Sequence, residues 1–202
     1  MKLRVGVGEI RRVLLTATRA AVVATWGGVM VPPSGATHDE CGGAHGSSGD
    51  DVFNGGPEDD RYSGLGGSDQ IDGDGGFDVL CGNDGRDRIW GRTYVDHLYG
   101  HGGADVLDGG ANWDNVWGGG EADEIYGGDD PDHLYGGDGR DVVYGEGGDD
   151  NNWAMGMGLE GNGENDTLYG NLGDDQLIGG AGTDTCNGGD GNDVIDCEIV
   201  TG

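Results

Sequence analysis

The chain has 202 residues, of which 49 are Gly, and its formal net charge is −29. Without a pattern, a composition this acidic and this rich in Gly would be typical of a disordered segment. The charge also excludes nucleic acid and anionic membrane surfaces as favourable partners, because both repel a strongly acidic protein. Cations are the partners that such a composition favours.

The first 36 residues differ from the rest of the chain. Basic residues, including Arg11 and Arg12, precede a mostly apolar stretch over residues 20–31, and residues 34–36 place small side chains where signal peptidase cleaves. We therefore predict a signal peptide over residues 1–36 and a secreted, extracellular protein. No membrane span is expected after cleavage, because the apolar stretch is short and interrupted by Gly and Pro. An amphipathic helix on a cytosolic protein is the alternative, and the Arg pair also resembles a twin-arginine export motif.

A nine-residue repeat occupies most of the remaining sequence. Twelve copies run without interruption from Gly46 to Trp153, and four more run from Gly161 to Asp196. All sixteen copies have Gly first and Asp sixth, and fifteen have an apolar residue eighth, with Asn152 as the exception. Disordered low-complexity chains have no reason to keep this period, so it indicates a folded repeat protein.

Each position of the repeat predicts a place in the fold. Gly at the first position, and often at the second and fourth, allows the positive φ angles of a tight turn. The last three residues form a short strand whose central side chain points inward. Two copies then make one coil, and copies n and n+2 lie above one another. The predicted fold is an all-β parallel β-roll, a right-handed β-solenoid.

Stacking also brings the sixth-position aspartates into two columns. Calcium takes roughly six to eight carboxylate and carbonyl oxygens, so adjacent Gly-rich turns can enclose one ion between them. The n/n+2 pairs, ten in the first block and two in the second, predict about twelve calcium ions. The predicted metal ligands are Asp51, Asp60, Asp69, Asp78, Asp87, Asp96, Asp105, Asp114, Asp123, Asp132, Asp141, Asp150, Asp166, Asp175, Asp184 and Asp193.

These residues resemble the hemolysin-type calcium-binding repeats of RTX proteins over about three quarters of the chain. The resemblance implies a calcium-loaded β-roll whose ligands are sixth-position carboxylates and turn carbonyls. The segment 182–198 and the pair Cys41 and Cys81 also resemble small secreted calcium-binding proteins of actinobacteria. Many RTX proteins join this module to an enzyme or toxin, but only residues 37–45 lie between the predicted cleavage site and the first repeat. Motifs such as H-E-x-x-H and G-x-S-x-G are absent, so we predict a non-enzymatic protein without catalytic residues.

Four cysteines, Cys41, Cys81, Cys186 and Cys197, lie in the predicted secreted part, where an even number indicates disulfides. Cys186 and Cys197 flank the last repeat, and the other two lie near the opposite end. We therefore predict the pairs Cys41–Cys81 and Cys186–Cys197. A zinc site made from all four cysteines is the alternative, although the usual C-x2-C spacings are absent.

Aromatic residues recur at the ninth, outward position of one column, at Tyr99, Trp117, Tyr135 and Trp153. Cross-strand stacking that stabilises the sheet is one interpretation of this row. An exposed strip that binds a cell-surface glycan or a protein partner is the other. The five histidines are interpreted as solvated surface residues.

Three segments depart from the repeat. Residues 37–45 and 197–202 are the predicted N-terminal and C-terminal caps, and residues 154–160 are a predicted insert. The insert follows Asn152, which is unfavourable at an inward position. Either Trp153 turns inward through a bulge, or the roll is broken there into two blocks, 46–153 and 161–196.

Overall fold

The computed structural model of the chain describes residues 41–150, 159–160 and 165–201. Its strands form two parallel sheets of nine strands each. The odd-numbered sheet contains β1 (Ala44–His45), β3 (Arg61–Gly66), β5 (Val79–Asp84), β7 (His97–Gly102), β9 (Asn115–Gly120), β11 (His133–Asp138), β13 (Leu159–Glu160), β15 (Gln176–Ile178) and β17 (Val194–Asp196). The even-numbered sheet contains β2 (Val52–Gly56), β4 (Gln70–Asp74), β6 (Arg88–Thr93), β8 (Val106–Ala111), β10 (Glu124–Asp129), β12 (Val142–Gly147), β14 (Thr167–Leu172), β16 (Thr185–Asp190) and β18 (Ile199–Val200).

Each strand pairs with the strands two places before and after it, so the chain changes sheet at every turn. Ile71 pairs with Ile89, and Ile89 pairs with Leu107, which is the offset of two copies that the repeat predicts. The prediction of an all-β parallel β-roll is therefore confirmed. The predicted signal peptide, residues 1–36, lies outside the described residues. Within the described part of the chain, no helix is long and apolar enough to cross a membrane.

The space between the two sheets is filled by eighth-position side chains. The buried core consists of Tyr62, Ile71, Leu80, Ile89, Leu98, Leu107, Val116, Ile125, Leu134, Val143, Leu168, Leu177 and Cys186. Phe53, Ile195 and Cys197 pack against this core at its two ends. The predicted inward direction of the eighth position is thus confirmed for these residues, and one apolar side chain per copy is enough to separate the sheets.

The two sheets remain continuous where the repeat is interrupted. Leu159 in β13 pairs with Leu134 on one side and with Leu177 on the other, and both partners are eighth-position residues. In the aspartate columns, the separation between stacked partners is 25 residues across the interruption and 18 elsewhere. Seven additional residues are therefore accommodated without a change of register. Of the two alternatives for the interruption, continuous strand pairing excludes a roll that is broken into two blocks.

The same pairing gives a different position for the insert. Glu160 pairs with Tyr135 and with Ile178, both at the ninth position, so Leu159 and Glu160 take the registers expected for Asn152 and Trp153. The predicted insert of residues 154–160 therefore shares its last two residues with the odd-numbered sheet. Asn152, Trp153 and residues 154–158 lie outside the described part of the chain.

The turns contain left-handed backbone at the second and fourth positions of the repeat. Gly110 and Gly119, at the second position, have φ angles of 109° and 119°, and Gly67, at the fourth, has 121°. None of the described first-position glycines has a positive φ, so this part of the turn prediction is wrong. Four fourth-position residues other than Gly adopt φ angles of 71° to 80°, namely Tyr94, Asn112, Glu121 and Asp130, whereas Glu58 at the same position does not have a positive φ. These replacements preserve the shape of the turn, although a left-handed conformation costs a non-Gly residue about 1–2 kcal/mol.

Both predicted disulfides are present. Cys41 is bonded to Cys81, which lies at an outward position of β5, and Cys186 is bonded to Cys197 beside the last core residues. The first bond therefore joins the N-terminal cap to the outer face of the odd-numbered sheet. Because all four cysteines are paired, the alternative of a four-cysteine zinc site is excluded.

Candidate metal centre

The sixth-position aspartates form two columns along the turns of the solenoid. In each column, the backbone N–H of one aspartate donates a hydrogen bond to Oδ1 of the aspartate two copies later, as from Asp87 to Asp105 at 2.8 Å. The same bond crosses the interruption, from Asp141 to Asp166 at 2.8 Å. One column contains Asp51, Asp69, Asp87, Asp105, Asp123, Asp141, Asp166 and Asp184, and the other contains Asp60, Asp78, Asp96, Asp114, Asp132, Asp150, Asp175 and Asp193.

The second carboxylate oxygen of most of these aspartates is buried without a hydrogen-bond partner. Such Oδ2 atoms include those of Asp69, Asp78, Asp87, Asp96, Asp105, Asp114, Asp123, Asp132, Asp141 and Asp184. Leaving a buried polar group unsatisfied costs about 1–3 kcal/mol, and more when the group is charged. A column of such oxygens therefore requires either protons or a positive charge in contact with it.

First-position glycines leave open the space that these oxygens face. A Cβ atom on Gly91 would lie 2.6 Å from Asp96 Oδ2 and 2.6 Å from the carbonyl oxygen of Gly109. Gly109 repeats this arrangement two copies later, with Asp114 Oδ2 and the carbonyl oxygen of Gly127 each at 2.7 Å. Gly is thus required at the first position because it lacks a Cβ atom. The space has a carboxylate on one side and a carbonyl on the other, which is the donor set that calcium accepts in flexible geometry.

The predicted ligands at the ends of the columns differ from those in the middle. Asp51 Oδ2 accepts hydrogen bonds from the backbone N–H of Ser47 at 2.6 Å and from its hydroxyl at 3.0 Å. Asp60 Oδ2 accepts a hydrogen bond from the N–H of Gly56 at 3.0 Å. At the opposite end, Asp193 is only partly buried. The interior aspartates, together with Asp184 at the end of its column, are therefore the ones whose second oxygen is left for a cation.

Burial changes the acidity of the interior carboxyl groups. It raises the pKa of Asp78 to about 6, that of Asp114 to about 8 and that of Asp132 to about 9. The hydrogen bond from the preceding aspartate N–H lowers each pKa, and the charge of the stacked neighbours raises it again. Burial likewise raises the pKa of Asp123, in the other column, to about 8, so at neutral pH the middle of each column retains protons unless a cation stabilises the carboxylates.

The aromatic row forms a ladder of stacked rings on the odd-numbered sheet. Tyr99 and Trp117 have ring centroids 4.6 Å apart with an interplanar angle of 3°, and Trp117 and Tyr135 are 5.7 Å apart at 7°. Trp117 and Tyr135 are only 7% and 3% exposed. Cross-strand stacking is therefore confirmed for these three residues, and the prediction of an exposed strip is wrong for Trp117 and Tyr135. Trp153 lies outside the described residues.

Two features of the histidines did not follow from the repeat. His133 packs against Tyr135 with ring centroids 4.2 Å apart, and burial lowers its pKa to about 4, so it is not a solvated surface residue. The ligand atoms of Cys41, Cys81 and His101 lie within 4.8 Å of one another. Pairing of strands two copies apart brings His101 close to Cys81, which a search for contiguous motifs does not detect. Both sulfurs of this group are already used in the disulfide.

Comparison with known families agrees with this geometry. A family model described as RTX calcium-binding nonapeptide repeat (4 copies) matches residues 45–80, 82–116, 117–151 and 160–195. Neither the curated proteins nor the solved structures gave a significant match. The four matched ranges contain every aspartate of both columns and cover well over half of the chain. The chain therefore belongs to the RTX calcium-binding nonapeptide repeat family.

Proposed function

We propose that this protein is a secreted calcium-binding β-roll that folds when it binds several calcium ions. Its role is structural or at the cell surface, and it is not an enzyme. The observation that carries the proposal is the series of buried Oδ2 atoms without hydrogen-bond partners. Each of them faces a space that a first-position Gly leaves free, and in most copies a carbonyl oxygen of the neighbouring turn borders the same space.

Calcium would supply the positive charge that the described part of the chain does not provide. The sequence contains 39 acidic residues and only 10 Lys and Arg residues. Within the described residues, the ion pair between Arg92 and Asp72, at 2.7 Å, is partly exposed and involves neither column. Basic side chains are therefore too few to neutralise the two columns, so we expect calcium binding and folding to be one coupled process.

The number of stacked pairs supports about twelve calcium ions. Ten pairs belong to the twelve-copy block and two to the four-copy block. Two more pairs connect the blocks, because Asp141 stacks on Asp166 and Asp150 stacks on Asp175. The uninterrupted register therefore favours a number slightly above twelve.

Secretion is supported by two independent features. The N-terminal segment has the basic, apolar and small-residue order of a signal peptide. The two disulfides suit an oxidising compartment outside the cytosol.

Extracellular calcium also suits sites of low affinity, with dissociation constants of about 10⁻⁴–10⁻³ M. Such a chain would stay unfolded in a calcium-poor cytosol and fold after export.

The packing of the aromatic ladder argues against the alternative that the protein is an adhesin. Ring faces in the ladder of Tyr99, Trp117 and Tyr135 cover one another, and two of these side chains are buried. A glycan that stacks on aromatic rings needs a free ring face. We therefore interpret the ladder as a contact that stabilises the sheet and not as a binding surface for a sugar.

A calcium titration followed by far-UV circular dichroism tests the proposal. We expect the chelated protein to lack β structure and to gain it cooperatively as millimolar calcium is added. Magnesium at the same concentration is the control, because it demands tighter octahedral geometry and should induce little folding. Spectra that are the same in excess chelator and in excess calcium would refute coupled folding.

A further inference from the structure

The C-terminal tail continues the repeat in a shortened form. Ile199 and Val200 in β18 pair with Thr185 and Cys186, which places them at the registers of seventh-position and eighth-position residues. The N–H of Ile199 donates to the carbonyl oxygen of Asp184 at 3.0 Å. Most seventh-position residues of the roll make this bond to the aspartate two copies earlier, as Gln70 does to Asp51 at 3.0 Å. The residue before Ile199 therefore stands at the register of a sixth-position aspartate.

That residue is Glu198, and its carboxylate repeats the aspartate contact. The N–H of Asp184 donates to Glu198 Oε2 at 3.0 Å, with a sequence separation of 14 residues. Inside the column, the equivalent backbone N–H donates to the Oδ1 of an aspartate 18 residues later, as from Asp166 to Asp184 at 2.9 Å. The turn before Glu198 is four residues shorter than a repeat. Because a Glu side chain is longer than an Asp side chain, the Glu198 carboxylate still reaches the backbone N–H of Asp184.

Asp184 retains an oxygen that this contact does not satisfy. Its side chain is fully buried, and Oδ2 has no hydrogen-bond partner. Gly179, the first residue of the same copy, leaves space beside this oxygen, as the other first-position glycines do. This buried oxygen without a hydrogen-bond partner is evidence for a bound ligand, and the evidence is independent of the acidic residues in the tail.

We infer that Glu198 is a metal ligand and that, together with Asp184, it completes a further calcium site at the C-terminal end of the column. It stands where the aspartate of a seventeenth copy would stand. The Cys186–Cys197 disulfide holds the residue beside Glu198 against the end of the core. This inference rests on the proposed calcium binding and adds a ligand that lies outside the sixteen repeats.

Charge removal at Glu198 separates a ligand from a simple hydrogen-bond acceptor. Glu198→Gln keeps a carbonyl oxygen for the N–H of Asp184 but removes the negative charge. Asp196→Asn is the matched control, because it removes the same charge two residues away from an exposed, outward side chain. We would count bound calcium on the full chain by native mass spectrometry and follow exchange of the Asp184 amide hydrogen. We expect Glu198→Gln to bind one calcium ion fewer than the wild type, while Asp196→Asn binds the same number.

Three other outcomes would be decisive. An unchanged calcium count in Glu198→Gln, with the Asp184 amide still protected, would show that Glu198 only accepts a hydrogen bond, and the inference would fail. Loss of one ion in both variants would point to a general effect of charge and would also overturn it. A wild-type protein that binds no calcium would instead refute the proposed function itself.

Discussion

First-position glycines and sixth-position aspartates act as pairs, and neither residue type can be understood alone. Gly91 does not adopt a left-handed conformation, so its backbone would tolerate a side chain. The obstacle is the space, because a Cβ atom would enter the gap between Asp96 Oδ2 and the carbonyl oxygen of Gly109. The shape of each turn therefore requires a residue without a Cβ atom at the first position.

Gly91→Ala should therefore remove a calcium site and destabilise the calcium-loaded protein. Overpacking of this kind costs about 1–3 kcal/mol, and the lost ion adds to the loss of stability. Gly120→Ala is the control, because a Cβ atom there would meet only the carbonyl oxygen of His101, at 3.7 Å. Isothermal titration calorimetry and thermal melts in calcium would compare the two variants. Equal calcium counts and equal melting temperatures would contradict the proposed role of the first position.

Strand register explains how the roll tolerates the interruption after the twelfth copy. Leu159 stands at the register of an eighth-position residue between Leu134 and Leu177. Leu159 and Glu160 therefore take the eighth and ninth positions of the copy that begins at Gly145. The aspartate columns continue on both sides of the interruption.

Two deletions of equal length test this assignment. Removing residues 152–158 leaves a complete nonapeptide with Leu159 eighth, so we expect the fold and its stability to be preserved. Removing residues 154–160 leaves Asn152 at the eighth position. A polar side chain placed in the core costs about 1–3 kcal/mol, so this variant should melt at a lower temperature. If both deletions melt at the same temperature in saturating calcium, the register assigned to Leu159 does not determine stability.

The period of nine was sufficient to predict the two sheets, the inward eighth-position side chains and the aspartate columns. The even number of cysteines and their nearness to the two ends of the stack predicted both disulfides. The period did not predict features that depend on something other than a residue's position within the nonapeptide. Leu159 is displaced by seven residues, so the local pattern points to Asn152 instead. The burial of Trp117 depends on packing over the outer face of the sheet, which alternation along a strand does not reveal. Glu198 was missed because its turn is shorter than a repeat.

At the scale of the whole molecule, stability depends on the balance between protons and cations. The net charge of −29 is concentrated on carboxylates, and most of those in the columns are buried. In the absence of calcium, the folded state raises the pKa of Asp96 to about 7 and that of Asp114 to about 8. An unfolded chain has ordinary aspartate pKa values of about 3.9. The folded state therefore binds more protons than the unfolded state between these limits.

Calcium-free protein should thus become more stable as the pH falls. Between about pH 4 and pH 8 the unfolded state binds fewer protons, so stability decreases as the pH rises through this window. Calcium-loaded protein should behave in the opposite way, because protons compete with the ions for the same carboxylates. Circular dichroism of calcium-depleted protein from pH 8 to pH 5 would show the gain of β structure and stay above the sequence pI of about 4.1. A spectrum independent of pH over this range would contradict the buried state of the columns.

The hydrogen bonds of the columns give the stack a polarity. Every one of them runs from the N–H of an earlier aspartate to the carboxylate of a later one, as from Asp69 to Asp87 and from Asp105 to Asp123. Truncation from the C-terminal end would remove the acceptors of the last N–H groups, whereas truncation from the N-terminal end would remove the donors to the first carboxylates. A coil is therefore completed only by the chain that follows it. A chain that emerges with its N-terminus first cannot finish any coil until the copies two places later have also emerged.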